Sequence, residues 1–381
     1  MGYNRALKAI NLEPSDKILL LGTPSTKSID ELAGVKGTET EEEQLVKRAK
    51  VLDMDYTYIQ GRKRDAKGTW LPPARAPRET EYGTFEDFKE GFAWTETWEL
   101  AYKGCKLARS TSCDVLWVIE RPFKTYEQLL TYLERYDPRD DEQRSLKELT
   151  RHYKECLEYQ QNLLGDLALV GGGIYLTLWT FFLVHLGHTF TVRLAFQNPV
   201  EFRELLDKYS DVAKMHVEAW SRTGIKVLMS HDDVATQLGP MIPPKWFRDN
   251  LAPYYKKIWA PVLNKGIKVV FYGDGDFTSL IDAVLDAGAF GFMIQYDPKL
   301  PHEKIEFLVN KYGRSHFMAT GPNYDIMNEG GVEEAKSEAL WFSSLQKKGP
   351  AFFLQWITGT TQNVEAFLQT WLQNRIRNST P

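Results

Sequence analysis

The chain contains very little cysteine. Its 381 residues include only Cys105, Cys113 and Cys156, an odd number without the CxxC spacing of a structural zinc site or a redox motif. This argues against a fold held by disulfides and indicates a reducing compartment. The first residues also lack an apolar segment followed by a cleavage site, and Ala6 stands where a myristoylation signal needs Ser or Thr. We therefore expect a cytoplasmic protein.

The chain also lacks a strong excess of either charge, with a net charge of −4 and a pI near 6.1. No basic run is long enough to indicate nucleic acid or an anionic membrane as a partner, so we expect neither. Residues 167–186 are apolar and long enough to span a bilayer. However, Gly171–Gly173 interrupt this stretch and no basic flank orients it, so a buried strand followed by an apolar helix explains it better.

A glycine-rich nucleotide-binding fingerprint is absent as well, because the glycines at 171–173 lack the GxGxxG spacing. There is no internal repeat and no low-complexity tract. What the chain does have is 43% hydrophobic residues and 11 Trp. This composition is sufficient for one large core or for two ordinary domains.

Short apolar runs recur along the chain, and most are separated by segments with helical spacing. The predicted strands are 17–22, 113–119, 167–170, 225–230, 267–272, 290–295, 316–320 and 351–356. A repeated order of strand, helix, glycine and next strand predicts a parallel sheet. Eight such units with right-handed crossovers close into an α/β fold of the (β/α)8 TIM-barrel type, with an open doubly wound sheet as the alternative. We predict one domain over residues 1–381, in which 23–110 form a helical and irregular N-terminal elaboration.

Polar residues follow the fourth and fifth predicted strands at the points where these strands end. The candidate catalytic residues are His231, Asp232, Asp233, Tyr272 and Asp274. Since the C-terminal ends of parallel strands meet at one end of a barrel, we expect these side chains to share a pocket. Two carboxylates from adjacent strands can raise one another's pKa, and one of them could then act as a general acid.

Further side chains near strand ends are candidates for holding an aromatic substrate. The candidate substrate-binding residues are Gln237, Gln295, Asn323, Trp356 and Arg121. Simpler roles are open for several candidates: Asp232 or Asp233 can cap the next helix, His231 can be a supporting group, and Trp356 can belong to the core. Residues 62–78 hold six basic side chains beside Trp70, either as an exposed loop or as contacts to a negatively charged or aromatic ligand.

One stretch carries a more specific pattern. From Asp232 to Phe247 the chain reads Asp-Asp-x-x-x-Gln-x-Gly-Pro-Met-Ile-Pro-Pro-x-x-Phe, and Tyr272-Gly-Asp-Gly follows on the next strand. This order resembles the uroporphyrinogen decarboxylase superfamily, and within it the branch of corrinoid-dependent methyltransferases. Weaker matches on both sides extend the resemblance over most of residues 80–370.

The resemblance implies a TIM barrel with its active site at the strand C-termini, acting as a homodimer. The implied reaction moves a methyl group from a small, methoxylated aromatic substrate to a corrinoid on a partner protein. Loss of the methyl group leaves an alkoxide or phenolate, for which Tyr272, Asp274 and His231 are suitable donors. Two other readings stay open: a cofactor-independent decarboxylase-like enzyme of this fold, and a barrel that binds a small ligand without catalysis.

The chain departs from the zinc-dependent thiol methyltransferases of this group, which have His-x-Cys and a later Cys. Tyr272 and Asp274 stand at the aligned positions, and the last strand ends in Gln355-Trp356. Without soft thiolate ligands, a thiol-type zinc site is not expected. We assign no metal ligand from the sequence, although a hard, oxygen-ligated metal at Asp232, Asp233 and Asp274 stays open.

Overall fold

The computed structural model describes most of the chain. The described residues are 2–22, 27–59, 78–81, 94–99, 106–110, 116–140, 142, 144–295, 300–349, 352–354 and 359–376. The chain divides into two compact units. The first comprises Met1–Gly61, Thr150–Tyr175 and Val217–Pro381, and the second comprises Arg62–Leu149 and Leu176–His216. The prediction of a single domain over residues 1–381 stays a prediction.

The first unit contains an eight-stranded parallel sheet. Its strands are β1 (Leu19–Leu20), β2 (Tyr56–Ile59), β3 (Leu169–Ile174), β4 (Val227–His231), β5 (Lys268–Asp274), β6 (Gly291–Gln295), β7 (Phe317–Thr320) and β8 (Phe352–Leu354). From β2 onwards each strand pairs with the next along the chain, and β8 pairs with β1. A parallel bridge between Leu21 and Tyr56 joins β1 to β2. The sheet is therefore closed, and the predicted (β/α)8 barrel is confirmed.

Seven of the predicted strands lie in this barrel, but the strand predicted over 113–119 does not. Leu116–Glu120 is instead the last strand of a four-stranded antiparallel sheet in the second unit, with Arg78–Glu81, Trp94–Glu99 and Lys106–Ser110. Its apolar run is compatible with either kind of sheet, and periodicity does not distinguish them. The missing barrel strand is β2, which lies inside the region predicted as an elaboration.

Helices connect the barrel strands. The α-helices of the described residues are Gly2–Ile10, Lys27–Leu32, Glu41–Leu52, Tyr126–Leu133, Leu146–Leu164, Trp179–Leu186, His188–Gln197, Pro199–Ser221, Pro244–Asn250, Ala252–Leu263, Ile281–Asp286, His302–Tyr312, Tyr324–Glu329, Val332–Gln346 and Thr361–Asn374. Gly266 and Gly288 follow the helices before β5 and β6 and have φ values of 71° and 115°. These left-handed conformations end the helices as the sequence predicts.

The apolar stretch at 167–186 forms strand β3 and the helix Trp179–Leu186. All six residues of β3 are buried, as expected of a strand covered on both faces. Among the residues described, no helix combines the length and apolarity that a membrane crossing requires.

A cluster of charged residues lies where the barrel strands begin. Asp55 directly precedes β2 and is fully buried. Its carboxylate accepts hydrogen bonds from Arg5 Nε at 2.5 Å, from an Arg375 guanidinium nitrogen at 2.8 Å and from the backbone N–H of Leu20 at 2.9 Å. Arg375 also donates to the carbonyl oxygens of Ile18 and Leu52. The cluster therefore ties the first helix, the starts of β1 and β2, and the end of the last helix together.

Candidate active site

The C-terminal ends of β4 and β5 bring four of the five candidate catalytic residues together, namely His231, Asp233, Tyr272 and Asp274, whereas the Asp232 side chain points elsewhere. His231 ends β4 and is paired in register with Tyr272 of β5. One residue further, Asp232 N–H donates to the carbonyl oxygen of Tyr272 at 2.8 Å. Asp233 Oδ1 then accepts a hydrogen bond from the backbone N–H of Asp274 at 3.0 Å. The hydrogen bonds between the parallel strands β4 and β5 therefore set the relative positions of these residues at the two strand ends.

Two glycines allow the strand ends to approach this closely. A Cβ at Gly273 would lie 2.4 Å from the carbonyl oxygen of Asp232. Gly275 has a φ of +78°, and a Cβ there would lie 2.7 Å from the backbone of Thr236. Glycine is the residue that tolerates both constraints. The sequence Gly-Asp-Gly therefore holds Asp274 beside the loop that carries Asp233.

The imidazole of His231 is enclosed by the site, with 2% of the residue exposed. Its Nε2 lies 3.1 Å from Asp233 Oδ1. The ring stacks on Tyr175, with centroids 4.1 Å apart and planes inclined by 8°, and it also contacts the ring of Tyr272. Nδ1 is buried and has no hydrogen-bond partner among the described residues. A buried polar atom in this state is uncommon and points to a group that completes the site.

Tyr58 of β2 belongs to the site although the sequence did not single it out. Its hydroxyl hydrogen-bonds the hydroxyl of Tyr272, with the oxygens 2.9 Å apart. Burial raises the pKa of Tyr58 to about 12 and the pKa of Tyr272 well above its ordinary value. Both hydroxyls are therefore protonated at neutral pH, and because one proton serves the bond between them, the other is available to a ligand.

Asp232 faces a different environment from its neighbours. It is fully buried, and its Oδ2 accepts a hydrogen bond from the hydroxyl of Tyr255 on the helix Ala252–Leu263. Burial, together with the Asp232 carboxylate, raises the pKa of Tyr255 well above its usual value. Consecutive strand residues point to opposite faces, which explains why Asp232 contacts a helix while His231 faces the barrel. The next helix begins at Pro244 without a side-chain cap, so neither aspartate caps it.

Three of these residues form a cluster of possible metal ligands. His231, Asp233 and Asp274 each offer one donor atom, and these atoms lie within 4.8 Å of one another. One imidazole and two carboxylates suit a borderline or hard divalent cation. A thiol-type zinc ion does not fit this donor set, because such a site depends on cysteine thiolates.

The candidate substrate-binding residues differ from one another in exposure and in location. Gln237 is exposed in the hairpin formed by Ala235–Thr236 and Gly239–Pro240. Asn323 is partly buried, and its side-chain oxygen caps the helix Tyr324–Glu329. Trp356 and the side chain of Gln295 lie outside the described part of the chain, as does most of the basic stretch 62–78.

Arg121 belongs to the second unit, directly after the strand Leu116–Glu120. Its guanidinium group donates to the carbonyl oxygens of His185 at 2.9 Å and Val184 at 2.7 Å. These two residues lie in the apolar helix Trp179–Leu186, so Arg121 binds the C-terminal carbonyls of a helix in its own unit.

Comparisons with known proteins found a matching family model and a solved structure of similar fold over nearly the whole chain. A family model described as uroporphyrinogen decarboxylase (URO-D) matches residues 118–313, just over half of the chain. A solved methyltransferase structure from Methanosarcina mazei shares 15% sequence identity and a TM-score of 0.60, over 98% of this chain and 98% of that chain. At this identity the similarity shows a common fold.

Other solved structures are much less similar. A D-psicose 3-epimerase has 11% identity and a TM-score of 0.34, over 59% of this chain and 78% of its own. A sugar phosphate isomerase/epimerase from Parabacteroides distasonis has 7% identity and a TM-score of 0.33, over 57% of this chain and 76% of its own. Similarity at this level carries no argument about function. No curated protein matches the chain.

Proposed function

The chain belongs to the uroporphyrinogen decarboxylase family, and from this premise we propose that it is a methyltransferase acting on a small methoxylated aromatic substrate. The methyl group passes to a corrinoid carried by a partner protein. The observation that carries the proposal is the pair of protonated tyrosines, Tyr58 and Tyr272, beside His231 and Asp233 at the strand ends. The whole-length similarity in fold to a methyltransferase supports the same reaction class.

Methyl transfer out of an ether breaks the bond between carbon and oxygen, and the electron pair stays on oxygen. The corrinoid of the partner supplies the cobalt nucleophile that accepts the methyl group. The oxygen leaves as an alkoxide or phenolate and gains its proton from solvent water. Because the pKa of Tyr272 is raised far above its ordinary value, its hydroxyl remains a hydrogen-bond donor to this oxygen while negative charge develops there.

The neighbours of Tyr272 support this role. Tyr58 donates a hydrogen bond to the Tyr272 oxygen, and this polarises the Tyr272 hydroxyl and strengthens its hydrogen bond to the leaving oxygen. Tyr175 is 46% exposed and stacks on His231, which leaves an aromatic surface for a substrate ring. Gln237, Gln295, Asn323 and Trp356 complete the proposed substrate contacts. We leave Arg121 out because its guanidinium binds two helix carbonyls.

The test uses the purified full-length protein with a reduced, cobalt(I) corrinoid protein and a panel of methoxylated aromatics. We expect the absorption spectrum of the methylated corrinoid to appear with one class of ether. Tyr272→Phe keeps the ring contacts but removes the donor, so we expect the transfer rate to fall by about 10²–10³-fold, as for loss of a single donor to a developing oxyanion.

Tyr159→Phe is the matched control, because this tyrosine is 57% exposed on the helix Leu146–Leu164. Its rate should equal that of the wild type. If no ether is converted while a known corrinoid methyltransferase is active in the same assay, the proposed function is wrong.

The family model itself favours a second candidate, a carboxy-lyase that works without a cofactor. In that reaction the same donors would protonate the carbon that loses carbon dioxide. Release of carbon dioxide from an aromatic or tetrapyrrole acid, without corrinoid, would support this candidate. A barrel without catalysis would instead bind such compounds saturably and convert none of them.

A further inference from the structure

We infer that His231, Asp233 and Asp274 bind one first-row divalent cation, such as Mn²⁺ or Zn²⁺, through one nitrogen and two carboxylate oxygens. The inference concerns ion binding by the protein alone and does not depend on the proposed function. It differs from a thiolate-bound zinc in its donors, because the three side chains offer no sulfur.

The spacing of the donor atoms is compatible with a shared ion. Ligand atoms bind Zn²⁺ at about 2.0–2.2 Å, so two neighbouring ligands of one ion lie about 3 Å apart. His231 Nε2 and Asp233 Oδ1 are 3.1 Å apart, and all three donor atoms lie within 4.8 Å of one another. The Asp274 residue is exposed, so its carboxylate can approach the same ion by a rotation of the side chain.

The histidine gives an independent indication. A tautomer with hydrogen on Nε2 satisfies Asp233 but leaves the buried lone pair of Nδ1 without a donor among the described residues. The other tautomer sets the Nε2 lone pair against the Asp233 oxygen at 3.1 Å, which is repulsive. A cation between these two atoms replaces the repulsion by two bonds to a neutral imidazole and a carboxylate. The ring hydrogen then lies on Nδ1, so an ion at Nε2 does not itself supply the partner that Nδ1 lacks among the described residues.

The protein also holds the ligands in place before an ion arrives. The ring of His231 is stacked on Tyr175 and contacts Tyr272. The carboxylate of Asp233 is oriented by the backbone N–H of Asp274. The close approach of the two strand ends, which requires glycine at position 273, fixes the separation of the two aspartates. Supporting contacts of this kind are what a preorganised metal site needs.

The donor set also predicts which ligands the ion accepts. Imidazole with carboxylates suits Mn²⁺, Fe²⁺, Co²⁺ and Zn²⁺, whereas thiolates favour soft ions. Three protein ligands leave at least one position open for an external ligand. In the proposed reaction, on which this last step alone rests, an ether or phenolate oxygen would occupy that position rather than a thiol sulfur.

The test measures ion binding without substrate or corrinoid. The full-length protein is freed of metal with a chelator and titrated with MnCl₂, following the free Mn²⁺ signal by electron paramagnetic resonance, and with ZnCl₂ by calorimetry. We expect one ion per chain. Asp274→Asn and Asp233→Asn each replace an anionic carboxylate ligand by a neutral amide, so each should weaken binding by at least ~10–100-fold.

Asp276→Asn provides the matched control, since Asp276 lies two residues from Asp274 but forms an ion pair with Lys304. It should bind Mn²⁺ like the wild type. Because Asp274 is exposed, its variant should fold normally, and circular dichroism checks this. Absence of one-to-one binding, or wild-type affinity in the Asp274→Asn protein, would overturn the inference. Methyl transfer that persists in a metal-free protein would overturn the role of the ion in the reaction, and it would leave the proposed function standing.

Discussion

The two ends of the barrel contain buried charged residues in contrasting arrangements. Where the strands begin, Asp55 is hydrogen-bonded by two arginines and a backbone N–H, and each contact joins a different part of the chain. Where β4 and β5 end, the buried His231 keeps one nitrogen without a partner among the described residues, beside two aspartates. In the first arrangement the protein supplies the hydrogen-bond partners of the buried carboxylate, whereas in the second the described residues supply none for one buried nitrogen.

The two ends of the barrel are therefore expected to serve different purposes, one for stability and the other for function. Groups at the N-terminal ends of barrel strands hold the fold together, while groups at the C-terminal ends are available for chemistry. Removing one member of a complete buried ion cluster leaves other charges without partners. Removing a member of an incomplete site should affect ligand binding more than folding.

The largest expected effect is therefore on folding, from Asp55→Ala. The substitution leaves Arg5 and Arg375 buried without their shared carboxylate, so we expect the free energy of unfolding to fall by about 3–5 kcal/mol. Urea denaturation at neutral pH measures this change. Asp274→Asn at the opposite end should change it by no more than about 0.5 kcal/mol. Equal losses in the two variants would contradict the contrast between the two ends.

An intermediate effect is expected where geometry links the strand ends. In Gly273→Ala the new Cβ would lie 2.4 Å from the Asp232 carbonyl, so the backbone must shift, and we expect a loss of about 1–3 kcal/mol. Because the shift separates Asp233 from Asp274, Mn²⁺ binding should weaken as well. Gly331→Ala is the control, since its nearest neighbour would be 3.7 Å away. Unchanged stability and ion binding in Gly273→Ala would show that the strand ends are more adaptable than we infer.

The smallest effect concerns Tyr58→Phe, which removes one hydrogen bond and should cost about 1 kcal/mol at neutral pH. The pKa of Tyr58 is raised to about 12, above about 10 in the unfolded chain. The contribution of its protonated hydroxyl is therefore present below about pH 10 and is lost as the pH rises toward about 12. Denaturation at neutral pH and at about pH 11 should show the difference between wild type and variant shrinking. A difference that stays constant would contradict a raised pKa.

The sequence predicts most of the candidate site because the strands that carry it can be recognised from their own apolar residues. The runs ending at His231 and Tyr272 are continuous and apolar, as expected for strands buried on both faces. Tyr58 was missed for the opposite reason. Its strand, Tyr-Thr-Tyr-Ile, carries three hydroxyl groups and lies within the region 23–110 that is predicted to be helical and irregular. The two-residue spacing of Tyr56 and Tyr58 is nevertheless typical of a strand.

Arg121 shows how one wrong strand affects a site prediction. The run before it has the composition of a buried strand, and the sequence predicts Arg121 at the site only if that strand belongs to the barrel. The strand is real, but its partners are antiparallel. Strand composition does not identify the partner, since the same residues pack well in either sheet.

The sequence by itself determined the barrel class and the two strand ends that carry the polar cluster, because residue spacing and strand length are local properties of the chain. Only the tertiary structure decided which distant side chains meet. Tyr58 and Tyr272 are 214 positions apart, and Asp55 and Arg375 are 320 apart. Such contacts exist only when the barrel closes, because closure brings the first strands beside residues from the rest of the chain.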